Sequence, residues 1–166
     1  MWEVWENYIP ERAKFIQREK WLDGSEIRAK DTYTAFLKDV DADIYIAMCT
    51  TSHFTRKESI ENALQKVLHE GYDSAFSAKR VQTFAWYKGQ TTNYNPEDIP
   101  RTQDMDPVYM ETSAFFIFKR DLWTKHGRRI GFNPYIQEVG EIESVDIDTM
   151  DDLKFARIIA DKVLCI

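Results

Sequence analysis

Two carboxylates stand close together near the C-terminal end of the sequence, within residues 144–149 (SVDIDT). The acids alternate with apolar residues, which is typical of a strand end, and residues i and i+2 of a strand point to the same face. Asp146 and Asp148 can therefore converge on one point. Carboxylate oxygens suit Mg²⁺, which usually takes one or two of them together with waters and phosphate oxygens. The segment predicts a magnesium site at the carboxyl end of a strand.

The same segment also fits a purely structural role. Thr149 and Asp152 have the spacing of a helix capping box, and further acids at a helix start complement the helix dipole. Acidic helix starts are common, so the pattern alone favours this structural interpretation. The two roles are compatible, with Asp152 capping the helix while Asp146 and Asp148 hold the metal ion.

Two other polar segments carry candidate ligand-binding groups. In residues 100–104 (PRTQD), Arg101 offers a planar fork for a carboxylate, and Gln103 can bind hydroxyl or amide groups. An arginine in a polar loop is more often simply solvated. In residues 49–53 (CTTSH), Thr51 and Ser52 can bind a ligand at a sheet edge or cap the following helix. The sequence contains neither a glycine-rich phosphate loop of the P-loop or dinucleotide type nor a Cys/His metal spacing.

The hydrophobic pattern predicts an α/β fold, with residues 49–53 and 144–149 at the edge of its sheet. Predicted strands cover residues 13–17, 42–49, 72–78, 114–118 and 143–147, and predicted helices cover 1–8, 31–40, 57–69 and 149 onward. The apolar strand 42–49 is typical of a strand buried on both faces. Strand, helix and strand over 42–78 predict a right-handed parallel pair. Ligands of such folds bind at the carboxyl edge of the sheet. The polar stretch at about 84–110 predicts an extended arm.

The bulk properties limit the possible partners. The 166 residues fit one domain over 1–166, and the net charge of -6 argues against nucleic acid or an anionic membrane. Two cysteines form no disulfide framework, and no apolar run approaches the roughly 20 residues that span a bilayer. We expect a cytoplasmic protein with neither nucleic acid nor a membrane as its partner.

Several motifs follow one another over residues 40–160: TSHF, YDSAFSA, PRTQDMDPVYMETSAFFIF, RRIGFNPYI and ESVDIDTMDDLKFA. In this order they resemble the acylneuraminate cytidylyltransferase family, the CMP-sialic acid synthetases and their relatives. That family shows a T-S-P-[LF] loop, a Y-D-S-[VA]-[FV]-S strand, a P-R-x-Q-D arm and a closing V-D-I-D-T before the last helix. Each motif is modest alone, and their common order makes the match specific.

The resemblance implies a three-layer α/β/α, Rossmann-like nucleotidyltransferase fold with a mostly parallel sheet. It implies an enzyme that transfers CMP from CTP to a sialic-acid-like (nonulosonic) sugar acid and releases pyrophosphate. Asp146 and Asp148 would be the catalytic Mg²⁺ ligands, and Arg101 and Gln103 would contact the sugar acid. The family is typically dimeric, with the arm packed on the neighbouring subunit, so the resemblance also implies a homodimer.

The sequence departs from the family pattern in two places. Family members begin with a strand and a loop of the form A-R-x-G-S-K that grips the CTP phosphates, and nothing like it occurs here, so the fold is expected to be N-terminally truncated. In the substrate pocket, Cys49-Thr50 replaces Gln-Pro and Thr112-Ser113 replaces Asn-Gly. Thr112 therefore stands at a sugar-contacting position, and the sugar acid stays open. The alternative is a truncated or catalytically silent domain that binds a sugar acid or a partner subunit.

Overall fold

The structure is a computed structural model, and it describes residues 13–165. The helix end predicted over residues 1–8 lies outside this range. The chain divides into two compact units, Met1–Ala42 and Asp43–Ile166.

The first unit contains one described helix. Helix α1 spans Ala29–Asp39, close to the predicted 31–40, and the Asp31 carboxylate caps it by accepting from the Arg28 amide at 3.0 Å. A short 3₁₀ turn, Lys20–Asp23, buries Leu22. The strand predicted over residues 13–17 is wrong, because these residues carry no regular structure. A strand needs a partner for its ladder, and the described part of this unit contains no second strand.

The second unit is built on a four-stranded sheet. Its strands are β1 (Ile44–Met48), β2 (Ser74–Val81), β5 (Val108–Lys119) and β6 (Pro134–Val139), and a separate hairpin pairs β3 (Trp86–Tyr87) with β4 (Gln90–Thr91). The helices are α2 (Lys57–His69), α3 (Arg120–His126) and α4 (Met150–Ile158), which continues into a π-helical turn over Ile159–Leu164. The order across the sheet is β1-β5-β2-β6.

Three of the four strands run in the same direction. Strand β6 is parallel to β2, and β5 is antiparallel to both β1 and β2. The predicted Rossmann-like α/β class is confirmed. Strands β1 and β2 are parallel as predicted, but they do not pair with each other because β5 lies between them. The crossover rule fixes the relative direction of two strands and still permits a later strand to insert between them.

Strand β1 is less buried than its sequence indicates. Of its residues only Tyr45 is buried, while Ile46 is 41% exposed and Met48 is 55% exposed. The prediction of burial on both faces is therefore wrong. Among residues 13–165, β1 pairs only with β5, which makes it an edge strand of the described sheet. Apolar composition does not distinguish an edge strand from a central one, because it reports hydrophobicity and not neighbours.

The strand predicted over residues 143–147 is misplaced. These residues lie in a turn and a connection without regular structure, and the fourth strand of the sheet is β6, at Pro134–Val139. Strand β6 was missed because it begins with proline and carries Gln137 and Glu138, which weakens its hydrophobic signal. Helix α3, which ends at Gly127 in a left-handed conformation (φ 62°), was also not predicted.

The core of this unit lies between α2 and the sheet. Helix α2 has the predicted bounds, with Ala63 and Val67 fully buried and Ile60 and Leu64 packed against them. The sheet residues that complete this cluster are apolar side chains from β2 and β5: Ala75, Ala114, Phe115 and Ile117. The 3.6-residue repeat of apolar residues in α2 thus specifies its inward face.

The YDSAFSA motif joins two neighbouring strands of the sheet near their starts. The Asp73 carboxylate accepts from the amides of Phe132 (2.6 Å) and Asn133 (3.0 Å) and from the Ser74 hydroxyl (2.9 Å). Desolvation raises the pKa of Asp73, but these hydrogen bonds outweigh it and lower the pKa overall. The Gly131 amide in turn donates to Ser74 Oγ at 2.8 Å. Asp73 therefore joins the start of β2 to the loop before β6.

We expect Gly131→Ala to lower the free energy of unfolding by about 1–3 kcal/mol. A Cβ atom at this buried position would overlap the Asp73 carboxylate, which must then leave its hydrogen bonds. Urea unfolding at neutral pH measures the change. Gly140→Ala is the matched control, because a Cβ there meets nothing within 4 Å. Equal stability of the two variants would contradict the role given to Asp73.

Candidate functional site

The carboxyl ends of β1, β2 and β6 share one edge of the sheet, because these strands run in the same direction. The loop over residues 49–56 follows β1, the polar arm follows β2, and residues 140–149 follow β6. The predicted site residues lie in these three segments, apart from Thr112, which lies in β5. The candidate residues therefore lie in segments at the edge of the sheet where α/β folds bind ligands.

Residues 140–149, which we call the crossing segment, run from one side of the sheet to the other. The segment leaves β6 at one margin and contacts the loop after β1 at the opposite margin. This crossing covers three inter-strand spacings, roughly 14 Å. The Ile147 amide donates to the Thr51 carbonyl (3.2 Å), and the Arg56 amide donates to Glu143 Oε1 (3.0 Å). The crossing segment therefore lies across the carboxyl edge.

Asp146 meets Ser52 at this contact. Ser52 is 6% exposed, and its hydroxyl donates to Asp146 Oδ1 at 3.3 Å. The Ile147 amide donates to the same oxygen at 3.1 Å. Among the described residues, no hydrogen bond reaches Asp146 Oδ2. One carboxylate oxygen is thus fixed by the protein, and the other is available to a ligand. The Thr51 side chain lies 2.9 Å from Cys49 Sγ.

Asp148 lies two residues further on and is exposed. Its amide donates to Asp152 at 3.3 Å, and its own carboxylate has no hydrogen bond or ion pair within residues 13–165. The shared strand face expected for Asp146 and Asp148 does not exist, because this segment is not a strand. The two carboxylates remain neighbours only through the short connection between them.

The residues present fit a Mg²⁺ site in which the protein supplies some of the ligands and waters or substrate phosphates supply the others. In the described part of the chain, no three acidic, histidine or cysteine side chains are grouped to hold a metal ion. Asp146 Oδ2 and the Asp148 carboxylate are hard oxygen donors without another partner there. Mg²⁺ typically uses one or two carboxylates and completes its shell with waters and substrate phosphates. The second oxygen of Asp146 and the carboxylate of Asp148 suit that arrangement.

The predicted capping box at the start of α4 is confirmed. The Asp152 amide donates to Thr149 Oγ1 (3.2 Å), and Asp152 Oδ2 accepts from the Thr149 amide (2.8 Å) and hydroxyl (2.7 Å). The Thr149 hydroxyl and then its amide lower the pKa of Asp152. Asp152 therefore caps the helix, whereas the carboxylates of Asp146 and Asp148 take no part in the cap.

Arg101 and Gln103 lie on the arm, around a short 3₁₀ turn at Thr102–Asp104. The Arg101 guanidinium donates through Nε (2.7 Å) and Nη2 (3.1 Å) to Asp104, which leaves its Nη1 edge for another acceptor. The Gln82 side chain donates to the carbonyls of Gln103 (3.0 Å) and Met105 (2.9 Å). The turn is thus anchored while the side chains of Arg101 and Gln103 are exposed. No hydrogen bond among the described residues joins these two to the crossing segment.

Thr112 lies in a β-bulge opposite Ser77. The register of β5 against β2 shifts between Phe76 and Ala78, so that Ser77 faces several residues of β5. The Thr112 hydroxyl donates to Ser77 Oγ at 2.8 Å, and the Phe115 amide donates to the same oxygen at 3.2 Å. Thr112 is buried, and its hydroxyl is engaged with Ser77. Sequence reasoning missed Ser77, whose only signal is its place in the YDSAFSA motif.

We expect Ser113→Gly to raise the free energy of unfolding by about 0.5–1 kcal/mol. Ser113 adopts φ 58°, a left-handed conformation that glycine occupies without strain, and the resembled family carries glycine at this position. Chemical denaturation measures the change. Thr112→Val is the contrasting variant: it loses the hydrogen bond to Ser77 and is expected to destabilise. A loss of stability in Ser113→Gly would contradict the strain at the bulge.

The described part of the chain forms a Rossmann-like α/β fold, and Asp146 and Asp148 lie at the carboxyl edge of its sheet. The chain is similar to N-acylneuraminate cytidylyltransferases A and B of Danio rerio, each 28% identical over 154 residues that cover 87% of this chain. It is 30% identical to the N-acylneuraminate cytidylyltransferase of Oncorhynchus mykiss over 136 residues, or 76% of this chain. The resemblance inferred from the motifs is confirmed.

The chain spans about a third of the length of these curated relatives, since the matches cover 36%, 36% and 31% of them. No protein-family model matches the chain. Among the described residues, the helices are too short or too polar to cross a membrane.

Proposed function

We propose that this chain forms part of a cytidylyltransferase that transfers CMP from CTP to a sialic-acid-like sugar acid. The anomeric hydroxyl oxygen of the sugar acid would form a bond to the α-phosphorus of CTP. The bond from that phosphorus to the bridging oxygen would break and release pyrophosphate, and the hydroxyl proton would leave to solvent. The observation that carries the proposal is the joining of Asp146 to Ser52 at the carboxyl edge, in a chain related to cytidylyltransferases.

Asp146 and Asp148 are the proposed metal ligands and catalytic residues. A bound Mg²⁺ would neutralise negative charge on the phosphate oxygens. Ser52 and the Ile147 amide hold one oxygen of Asp146, so the carboxylate presents its second oxygen in a fixed orientation. Hydrogen bonds that orient a ligand carboxylate in this way commonly tune metal affinity. Thr51 adds its carbonyl to the same contact.

Arg101, Gln103 and Thr112 are the proposed sugar-acid residues. The free edge of the Arg101 guanidinium matches a carboxylate, and Gln103 offers both an amide donor and an acceptor for hydroxyl groups. Thr112 would act through the bulge that it closes with Ser77, because its hydroxyl is already engaged there. Bulges of this kind often lie beside active sites, where they re-aim neighbouring side chains.

Calorimetric titration of CTP into the chain in the presence of Mg²⁺, with ATP as the control nucleotide, tests the proposal. We expect CTP-selective binding that is lost when EDTA is added. A pyrophosphate-release assay across sialic-acid-like sugar acids then identifies the substrate. Equal binding of CTP and ATP, or binding unaffected by EDTA, would contradict the proposed site.

A second candidate is a catalytically silent domain that binds a sugar acid or a partner subunit. Its support is that no three acidic, histidine or cysteine side chains of the described residues are grouped to hold a metal ion. Binding of a sugar acid without CTP-dependent pyrophosphate release would favour it over the first proposal.

We also propose that the protein acts as a cytoplasmic homodimer. The arm supports the dimer, because Trp86, Tyr87 and Ile99 expose large apolar side chains there. Aromatic residues are enriched in protein–protein interfaces. Light scattering of the purified chain distinguishes a dimer from a monomer.

A further inference from the structure

Glu143 is a buried carboxylate in the crossing segment to which the proposed reaction gives no role. It is 4% exposed, although charged side chains are seldom buried without a partner. Its partner is the Arg56 amide, which donates to Oε1 at 3.0 Å. Arg56 is the N-cap residue of α2, and its own side chain makes no capping hydrogen bond. Glu143 therefore caps α2 from a distant part of the sequence, where negative charge also complements the helix dipole.

The backbone between Glu143 and Asp146 is held by short-range hydrogen bonds. The Ser144 amide donates to the carbonyl of Gly140 at 2.9 Å, and the Val145 amide forms a second turn bond at 3.2 Å. Directly after Asp146, the next amide donates to the loop after β1 at 3.2 Å. Asp146 thus lies between two attachments of the crossing segment. Glu143 binds the start of α2, and Ile147 binds the loop after β1. Of these two attachments, only the hydrogen bond between Glu143 and the Arg56 amide involves a charged side chain, and that side chain is buried.

We infer that Glu143 is a positioning residue for Asp146. Its hydrogen bond to the start of α2 attaches the crossing segment to the loop after β1, which keeps Asp146 beside Ser52 with its second oxygen available to a ligand. The metal-binding role of Asp146 in this inference rests on the proposed function. Glu143 itself contacts no reacting group and acts through the position of Asp146.

The test compares Glu143→Ala and Glu143→Gln with Glu141→Ala in the full chain. Glu141 lies in the same segment, with its side chain 79% exposed and paired with Lys79, so it is a matched acidic control. Mn²⁺, as a spectroscopic substitute for Mg²⁺, is titrated in the presence of CTP and followed by electron paramagnetic resonance. Hydrogen exchange reports the Arg56 and Ile147 amides.

We expect Glu143→Ala to raise the Mn²⁺ dissociation constant about 10-fold, as is typical when a group that orients a metal ligand is removed. Exchange of the Arg56 and Ile147 amides should accelerate in the same variant. Glu143→Gln should lie closer to the parent protein, because its amide oxygen can still accept from Arg56. Glu141→Ala should stay within about 2-fold, since exposed ion pairs contribute little. In a turnover assay the KM for the sugar acid should not change.

The outcomes separate this inference from the proposed function. Equal Mn²⁺ affinity of folded Glu143→Ala and Glu141→Ala overturns the positioning role. If Glu143→Ala does not fold, Glu143→Gln decides: faster exchange of the Arg56 amide at unchanged Mn²⁺ affinity, or weaker Mn²⁺ binding at unchanged exchange, overturns it. Failure of the parent protein to bind Mn²⁺ overturns the metal role of Asp146 and this inference with it. Weakened Mn²⁺ binding in Glu143→Ala without pyrophosphate release from any sugar acid supports the positioning role and counts against the proposed reaction alone.

Discussion

Asp148→Asn is expected to reduce CMP transfer at least about a thousand-fold, equivalent to about 4 kcal/mol of activation free energy. The amide keeps the size of the side chain and removes the negative charge that would hold the metal ion. The loss of a preorganised charge in a site of this kind typically costs two to three orders of magnitude, and the loss of a metal ligand adds to it. Pyrophosphate release at saturating CTP measures the effect.

The same substitution should leave the free energy of unfolding within about 0.5 kcal/mol of the parent value. The Asp148 carboxylate makes no hydrogen bond or ion pair within residues 13–165, and its contribution to the Asp152 cap comes from its backbone amide. Asp151→Asn is the matched control, because Asp151 is exposed and, in the described part of the chain, pairs only with Lys154 on the surface. It should change neither turnover nor stability appreciably.

Asp146→Asn separates the two proposed ligands. Asp146 accepts from Ser52 and from the Ile147 amide, so its substitution should lower both turnover and stability. Full activity in Asp148→Asn would remove Asp148 from the metal site. A large loss of stability in Asp148→Asn would instead assign its carboxylate a structural role that the geometry does not show.

The parts of the fold that were predictable are those in which one local pattern determines the structure. Helix α2 was predicted with its observed bounds because its apolar residues recur at helical spacing and its packing follows from that face alone. The burial of β1 and the place of the fourth strand were wrong, because both depend on which strands are neighbours. Strand β5 inserts between β1 and β2 through a pairing between distant parts of the sequence, and local periodicity carries no information about it.

The candidate site shows the same division. The capping role of Asp152 was predictable from its spacing to Thr149, because both partners lie within one helical turn. The contact between Ser52 and Asp146 was not predictable, since the two residues are 94 positions apart and the sequence predicts a strand over residues 143–147. Glu143 gave no signal in the sequence, because a glutamate in a polar turn is normally solvated.

Arg101→Lys is expected to raise the KM for the sugar acid about 10–100-fold while the KM for CTP stays nearly constant. Lysine keeps the positive charge but loses the planar pair of donors that binds a carboxylate with two hydrogen bonds. A hydrogen bond to a charged group contributes about 1.5–3 kcal/mol, which corresponds to this range of affinity. Steady-state kinetics with each substrate varied in turn separate the two KM values.

Asp104→Asn is the control for the Arg101 prediction, because it weakens the same ion pair and keeps the guanidinium. The pair is exposed, with side-chain exposures of 73% and 50%, so its contribution to stability is expected to be small. If Arg101 binds the substrate carboxylate, Asp104→Asn should change the KM for the sugar acid far less than Arg101→Lys does. Equal effects of the two substitutions would mean that the ion pair, through the shape of the arm, determines affinity, and Arg101 would then be a structural residue of the turn.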